Sequence, residues 1–252
     1  MDSVLTAPPR KKLVWQLGEV VQVVSETART KSLVLKVPDW PGHLPGQHLD
    51  VRLTAEDGYQ AQRSYSVGSP PEANYVAITV ERLENGEVSP YLTGTLDVGD
   101  QLELRGPIGG YFVWEASQGG PLLLIAGGSG VVPLMAMIRH RAAAGRGVPA
   151  RLLYSSRTFE DVIYREELDR TVQESGLEVF HTLTRTQPEG WAGFHRRIDR
   201  ALLEEVAWSA QQRPRVFVCG PTNLVETVAT TLAELGHDPA RIKTERFGPS
   251  GG

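Results

Sequence analysis

Hydrophobic and polar residues alternate along the first part of the chain. Short runs rich in Val, Leu, Ile and Thr occupy residues 19–25, 31–37, 48–54, 63–68, 75–81 and 101–105. Turn formers separate them, among them Glu56-Asp57-Gly58, Gly68-Ser69-Pro70-Pro71 and Glu84-Asn85-Gly86. A two-residue period in runs this short predicts strands with one buried face. Six of them at this spacing predict a small antiparallel six-stranded β-barrel, with residues 89–95 forming a single helix at one end. Beyond Gln118-Gly119-Gly120-Pro121 the pattern changes. Continuous apolar runs at 121–126, 150–154, 177–183 and 215–219 alternate with helical periodicity at 132–144, 162–174, 198–206 and 222–235. That alternation predicts an α/β domain whose parallel sheet is covered on both faces. The expected domains are residues 1–117 and 118–252.

Composition changes this picture little. With 252 residues, 40% of them hydrophobic, the chain can build two modest cores. A net charge of −4 offers no broad basic field for nucleic acid or anionic lipid. No apolar run approaches the roughly 18 residues that span a bilayer. The opening residues, MDSVLTAPPRKK, lack the apolar core of a signal peptide, which fits a cytoplasmic location. The single cysteine, Cys219, excludes an internal disulfide and a 2Fe–2S cluster held by this chain, which needs four Cys or His ligands. The six histidines are scattered without metal-ligand spacing, so no metal site is expected.

Three stretches carry candidate chemistry. Arg63-Ser64-Tyr65-Ser66 packs a cation, an aromatic ring and two hydroxyls into four residues. On a strand Arg63 and Tyr65 share one face, Ser64 and Ser66 the other. The arginine can fork onto phosphate, the tyrosine can cover a flat ring, and a serine hydroxyl can meet a ring nitrogen, which are the contacts a flavin nucleotide asks for. The second stretch, Gly127-Gly128-Ser129-Gly130-Val131-Val132-Pro133, joins a buried strand to a helix. Its glycines let a ligand approach backbone N–H groups, and the helix start favours a pyrophosphate. A plain tight turn is an equal reading of those residues alone. The third, Cys219-Gly220-Pro221, ends a strand where open parallel sheets bind ligands, although a lone cysteine is more often a small buried hydrophobe.

The order R-x-Y-S, G-G-x-G-x-x-P, C-G-P and a final Glu245-Arg246-Phe247 resembles the ferredoxin–NADP⁺ reductase superfamily over roughly residues 15–248. The resemblance implies FAD as a tight, non-covalent cofactor. Arg63 and Ser64 then meet the flavin nucleotide, Tyr65 packs on its ring system, and Ser66 approaches its reactive nitrogen. Gly86-Glu87-Val88-Ser89, preceded by Val80 on the strand before it, corresponds to the family's second flavin segment, with the Ser89 hydroxyl on the pyrophosphate. Gly127, Gly128, Ser129, Gly130 and Pro133 hold the nicotinamide dinucleotide, and Cys219, Gly220 and Pro221 stand beside its ring. Phe247 covers the flavin opposite Tyr65, with Glu245 close by. Ser66, Cys219 and Glu245 are the implied catalytic residues.

The strand ends at Ser156-Arg157 and Thr184-Arg185 offer hydroxyls and cations with no immediate acid, which favours NADPH over NADH. The tail after Phe247 is similar to that of bacterial oxygenase reductases, whose 2Fe–2S domain follows there; this chain stops. The implied activity is hydride transfer from NADPH to FAD, with single electrons passed to a separate ferredoxin, flavodoxin or oxygenase component. A free flavin or ferric reductase shares every motif, and a non-catalytic flavin-binding regulatory subunit is the alternative outside enzymology.

Overall fold

The computed structural model describes residues 13–144 and 147–247. Six strands form the first sheet: β1 (Gln16–Thr27), β2 (Thr30–Lys36), β3 (His48–Thr54), β4 (Gln60–Ser66), β5 (Val76–Glu81) and β6 (Gln101–Ile108). Their order is β4-β3-β6-β1-β2-β5, and every pair is antiparallel. The sheet closes on itself just beyond β4, where Val67 bridges Ile78 and Gly68 N–H donates to Ala77 O at 2.7 Å. The alternation explains the packing. On β3, Leu49 and Val51 enter the barrel core with Leu33, Leu35, Ile78 and Leu104, while His48, Asp50 and Arg52 lie on the outer face. Between β5 and β6 the short helix α1 (Ser89–Gly94) buries Leu92 against the core.

The second sheet is built from β7 (Leu122–Gly127), β8 (Ala150–Ser156), β9 (Leu177–Leu183), β10 (Arg215–Pro221) and β11 (Ile242–Phe247). Their order is β11-β10-β7-β8-β9, all parallel. Helices α2 (Val131–Ala143), α3 (Arg165–Ser175), α4 (Arg200–Val206) and α5 (Thr222–Glu234) cover it. The continuous apolar runs are needed because each strand is buried on both faces. On β7, Leu122, Leu124 and Ala126 pack under α2, and Leu123 and Ile125 pack under α4 and α5. The connection from β6 supplies Phe112 and Trp114 to the α2-side core. Among the described residues no helix is long and apolar enough to cross a membrane.

The strand expected over 63–68 runs over Gln60–Ser66 instead, and two further elements differ from the sequence pattern. The helix expected over 162–174 begins only at Arg165. Val162, Ile163 and Tyr164 continue the apolar periodicity but are buried outside the helix, and Tyr164 takes a left-handed backbone at φ 60°. The pattern also gives no strand over Ile242–Phe247, whose four polar residues Lys-Thr-Glu-Arg hide an edge strand that β10 recruits by parallel pairing.

Candidate active site between the two sheets

Register assembles the barrel side of the site. Ser66 pairs with His48 and Ser64 with Asp50 across β3 and β4, so all four share the outer face. Ser64 Oγ donates to Asp50 Oδ1 at 2.7 Å, and Arg105 Nη2 donates to Asp50 Oδ2 at 2.7 Å. Burial works against charge on Asp50, but these donors hold its carboxyl below the usual range. Tyr65 and Arg63 point the other way. Tyr65 packs partly on the barrel core, where burial pushes its phenol up to about 12. Arg63 is exposed and paired with Glu87 at 2.9 Å, and Glu87 also accepts from Tyr59 Oη at 2.7 Å.

The parallel sheet brings its groups to one end. Cys219 on β10 lies beside Glu245 on β11, and Pro221 beside Phe247. A cavity of about 140 Å³ is lined by His48, Ser64, Ser66, Cys219, Glu245, Arg246 and Phe247. Glu245 Oε1 stands 4.0 Å from His48 Nδ1, while its Oε2 is buried and has no hydrogen-bond partner among the described residues. Burial raises the Glu245 carboxyl to about 7. Burial, and then the Glu245 charge, hold the Cys219 thiol well above its ordinary value, so it stays protonated. Burial also lowers His48, keeping its imidazole neutral near pH 7.

Next to it lies a cleft of about 400 Å³ between the β1–β2 hairpin and the carboxyl ends of the parallel strands. Gly127, Gly128, Ser156, Arg157, Thr184, Arg185, Pro221 and Phe247 line it, together with Arg29, Glu81 and Asp161. Arg157 and Arg185 are held side by side, because Arg185 N–H donates to Arg157 O at 2.9 Å. Among the described residues neither guanidinium has an ion-pair partner. Phe247 borders both cavities.

Several other expected ligand residues have their side chains, or the space where one would stand, taken up by packing. Val80 and Val88 are enclosed in the barrel core, and Pro133 is buried in the first turn of α2. Strand alternation turns Val80 inward, and its neighbour Glu81 reaches the cleft. Ser89 is buried and its Oγ accepts from Leu83 N–H at 3.0 Å, closing the turn at Gly86 rather than offering the hydroxyl outward. Gly130 is a packing glycine: a Cβ there would lie 2.2 Å from Cys219 O. Gly220 packs likewise against Gly127, and Ser129 sits half-buried on the turn between them. Among the groups at the site that were not expected, His48 becomes visible only through its pairing with Ser66 and Asp161 through the loop after β8, while Glu87, expected only as part of the flavin segment, is found gripping Arg63.

Comparison with known proteins decides the family. The model of an oxidoreductase FAD-binding domain matches residues 17–113, and that of an oxidoreductase NAD-binding domain matches residues 124–230. The chain belongs to the ferredoxin–NADP⁺ reductase superfamily. The chain is 32% identical over 234 residues to the glycine betaine monooxygenase reductase subunit of Chromohalobacter salexigens, covering 90% of the chain and 63% of that protein. It is 31% identical to NADH-cytochrome b5 reductase 1 of Aspergillus oryzae, covering 78% of the chain and 69% of that protein. The FAD/NAD-binding domain of nitric oxide dioxygenase from Vibrio cholerae superposes with a TM-score of 0.83 at 25% identity, covering 93% of the chain and 99% of that structure. The chain spans a little under two thirds of the length of the monooxygenase reductase subunits it matches, 63% and 64%.

The residues of the chain fit the cofactors the two domains imply. Each cavity is lined by a residue with a buried polar atom that has no partner among the described residues, Glu245 Oε2 in one and Ser156 Oγ in the other. Gly128 has φ +54° and nothing within 4 Å of where a Cβ would stand, so the turn presents bare backbone. The chain therefore carries an oxidoreductase FAD-binding domain followed by an oxidoreductase NAD-binding domain.

Proposed function

We propose that this chain transfers a hydride from NADPH to bound FAD and passes single electrons to a separate redox protein, a ferredoxin, flavodoxin or oxygenase component. The observation that carries the reading is Phe247, which borders both the dinucleotide cleft and the cavity around Ser66, Cys219 and Glu245. Bound FAD supplies a two-electron acceptor able to release electrons one at a time.

The chain's own residues do the rest. Arg63, freed from Glu87, and the backbone of Gly86, Glu87 and Val88 hold the FAD pyrophosphate. Tyr65 supplies a flat apolar surface, and Ser64 stays bonded to Asp50 as a support. Ser66 offers its hydroxyl in the cavity where hydride passes. The neutral Cys219 thiol sets the ring position by bulk. Glu245, with its carboxyl near neutrality, takes up or releases a proton at Oε2. Gly127 and Gly128 receive the dinucleotide pyrophosphate at bare backbone.

Dinucleotide choice follows from charge. Arg157 and Arg185, without an ion-pair partner among the described residues and flanked by the Ser156 and Thr184 hydroxyls, suit a 2′-phosphate. Asp161 shares the cleft, but its Oδ2 accepts from Thr158 Oγ1 at 3.3 Å. NADPH is therefore preferred. Steady-state kinetics with both dinucleotides test this, and a higher kcat/KM for NADH would reject it. Arg185→Ala is expected to raise KM for NADPH about tenfold and to change KM for NADH less than twofold. Relatives named as monooxygenase reductase subunits and as a cytochrome b5 reductase support a protein acceptor. The check is whether a purified ferredoxin or oxygenase component is reduced faster than free flavin or a ferric chelate. A cytoplasmic site of action goes with this reading.

A further inference from the structure

We propose that Arg139 and Tyr164 form a latch that fixes the parallel sheet's dinucleotide end against the barrel strand carrying Ser66. The inference rests on the hydride-transfer reading above. Both side chains belong to the α/β domain, and both end on barrel atoms. Arg139 Nη1 donates to Gly68 O at 2.5 Å, two residues beyond Ser66. Its other donors are fixed by Glu167, with Nε on Oε1 at 2.7 Å and Nη2 on Oε2 at 2.6 Å, so the guanidinium plane has one orientation. That plane lies over the Tyr164 ring at 4.8 Å.

Tyr164 Oη in turn bonds Thr79 Oγ1 on β5. Thr79 Oγ1 bonds Ser32 Oγ at 2.7 Å, and Ser32 donates to Glu26 Oε1 at 2.6 Å. Each hydroxyl has a single proton. Ser32 spends its proton on the Glu26 oxygen, so Thr79 must donate to Ser32 and Tyr164 must donate to Thr79. The relay has one direction, from the α/β domain into the barrel, ending on a carboxylate.

Two further features point to a device rather than incidental contact. Tyr164 is buried in a left-handed backbone, φ 60°, which a β-carbon disfavours and which persists only where surroundings impose it. Gly68 is the barrel's counterpart: a Cβ there would stand 3.1 Å from Tyr164 Oη and 3.5 Å from Arg139 Nη1. The latch also sits between the two parts that must align. Arg139 lies on α2, which starts at the Gly128–Gly130 turn, and Ile163, next to Tyr164, lines the dinucleotide cleft. Gly68 and Thr79 belong to the closure of the barrel beside Ser66. A displacement of about 1 Å between reacting atoms can cost up to roughly 100-fold in rate.

Tyr164→Phe and Thr79→Val, each deleting one hydroxyl, test the latch on the full FAD-loaded chain. The expected result is a fall in the single-turnover rate of flavin reduction by about tenfold, with KM for NADPH within twofold of wild type and FAD content unchanged. The double variant should be no slower than the worse single one, because both break the same relay. Independently of activity, hydrogen–deuterium exchange without dinucleotide should quicken at least threefold at residues 67–69 and 76–80 in each variant. Arg139→Lys should reproduce both changes. If it does not fold, the two hydroxyl deletions still carry the test. Wild-type reduction rates and wild-type exchange in both hydroxyl variants would overturn the latch, as would additive losses. Failure of wild type to oxidise NADPH would reject the functional reading instead, while the exchange measurement still judges the latch.

Discussion

The two sheets place their functional groups by different rules. In the parallel sheet the groups that meet the ligand cleft stand at strand ends: Gly127 ends β7, Ser156 ends β8 with Arg157 following, Thr184 and Arg185 follow β9, and Pro221 ends β10. All strands run the same way, so every such end reaches one edge of the sheet. In the barrel, position comes from cross-strand register. Ser66 meets His48 only because β3 and β4 pair with that offset, and a slip of β4 by one residue would turn Ser66 to the face opposite His48. Chain order is therefore enough to find ligand residues in the first case and insufficient in the second.

The sharpest way to break this comparison is at the glycine turn, where packing and binding glycines stand two residues apart. Gly130→Val should destabilise the chain by about 3 kcal/mol or more, since its Cβ would overlap Cys219 O and backbone cannot step aside. Gly128→Ala should cost only about 1 kcal/mol of backbone strain and should instead raise KM for the dinucleotide. Thermal melts beside steady-state kinetics separate the two. Equal losses of stability would show that the turn has no open side.

On the barrel, Ser66→Ala should slow flavin reduction by about 10- to 100-fold while FAD affinity stays within a few fold. Stopped-flow bleaching by NADPH measures it, and an unchanged rate would remove Ser66 from the chemistry.

Glu245 joins the two regions and makes a prediction in pH. Its carboxyl titrates at about 7 in the fold against 4.5 in the open chain, so the folded state holds the extra proton between those values. Stability then falls as pH rises through that window, and the penalty is complete above about 7. His48, lowered by burial, acts oppositely: the fold loses stability as pH drops below 6.5. Glu245→Gln should leave stability unchanged near pH 4.5 and raise it by roughly 1–2 kcal/mol at pH 8, below the full 1.36 kcal/mol per pKa unit because water reaches 29% of the side chain. A Tm difference that does not widen with pH would reject the buried-acid reading.

The smallest effect belongs to Glu87. Its pairing with Arg63 is exposed, so Glu87→Gln should tighten FAD binding only about two- to threefold, read by flavin fluorescence on titration of the apoprotein. Weaker binding would mean that Glu87 helps rather than competes.

The sequence made most of the fold legible, because each sheet writes a distinct period. Residues 48–54 and 177–183 match β3 and β9 at both ends. The barrel's closure was less visible. It depends on a bridge between Val67 and Ile78 that no local pattern announces. β11 was hidden by its polar composition, and with it the neighbourhood of Cys219 and Glu245, which are brought together only by strand pairing. In the site, hydroxyls and cations at parallel strand ends were legible. Residues chosen for falling inside a motif, such as Val80, Val88 and Pro133, were not separable from core residues, because a motif does not say which way a side chain turns.

Phe247 carries a consequence for the order of events. One ring forms part of the wall of two adjoining spaces, of about 400 and 140 Å³. Volume it yields to one is volume it takes from the other. The free energies of filling the two spaces are therefore linked, and linkage is reciprocal: whatever the occupant of the smaller space does to dinucleotide affinity, the dinucleotide must do to that occupant by the same factor. A single edge-strand side chain thus makes binding at the two sites one equilibrium.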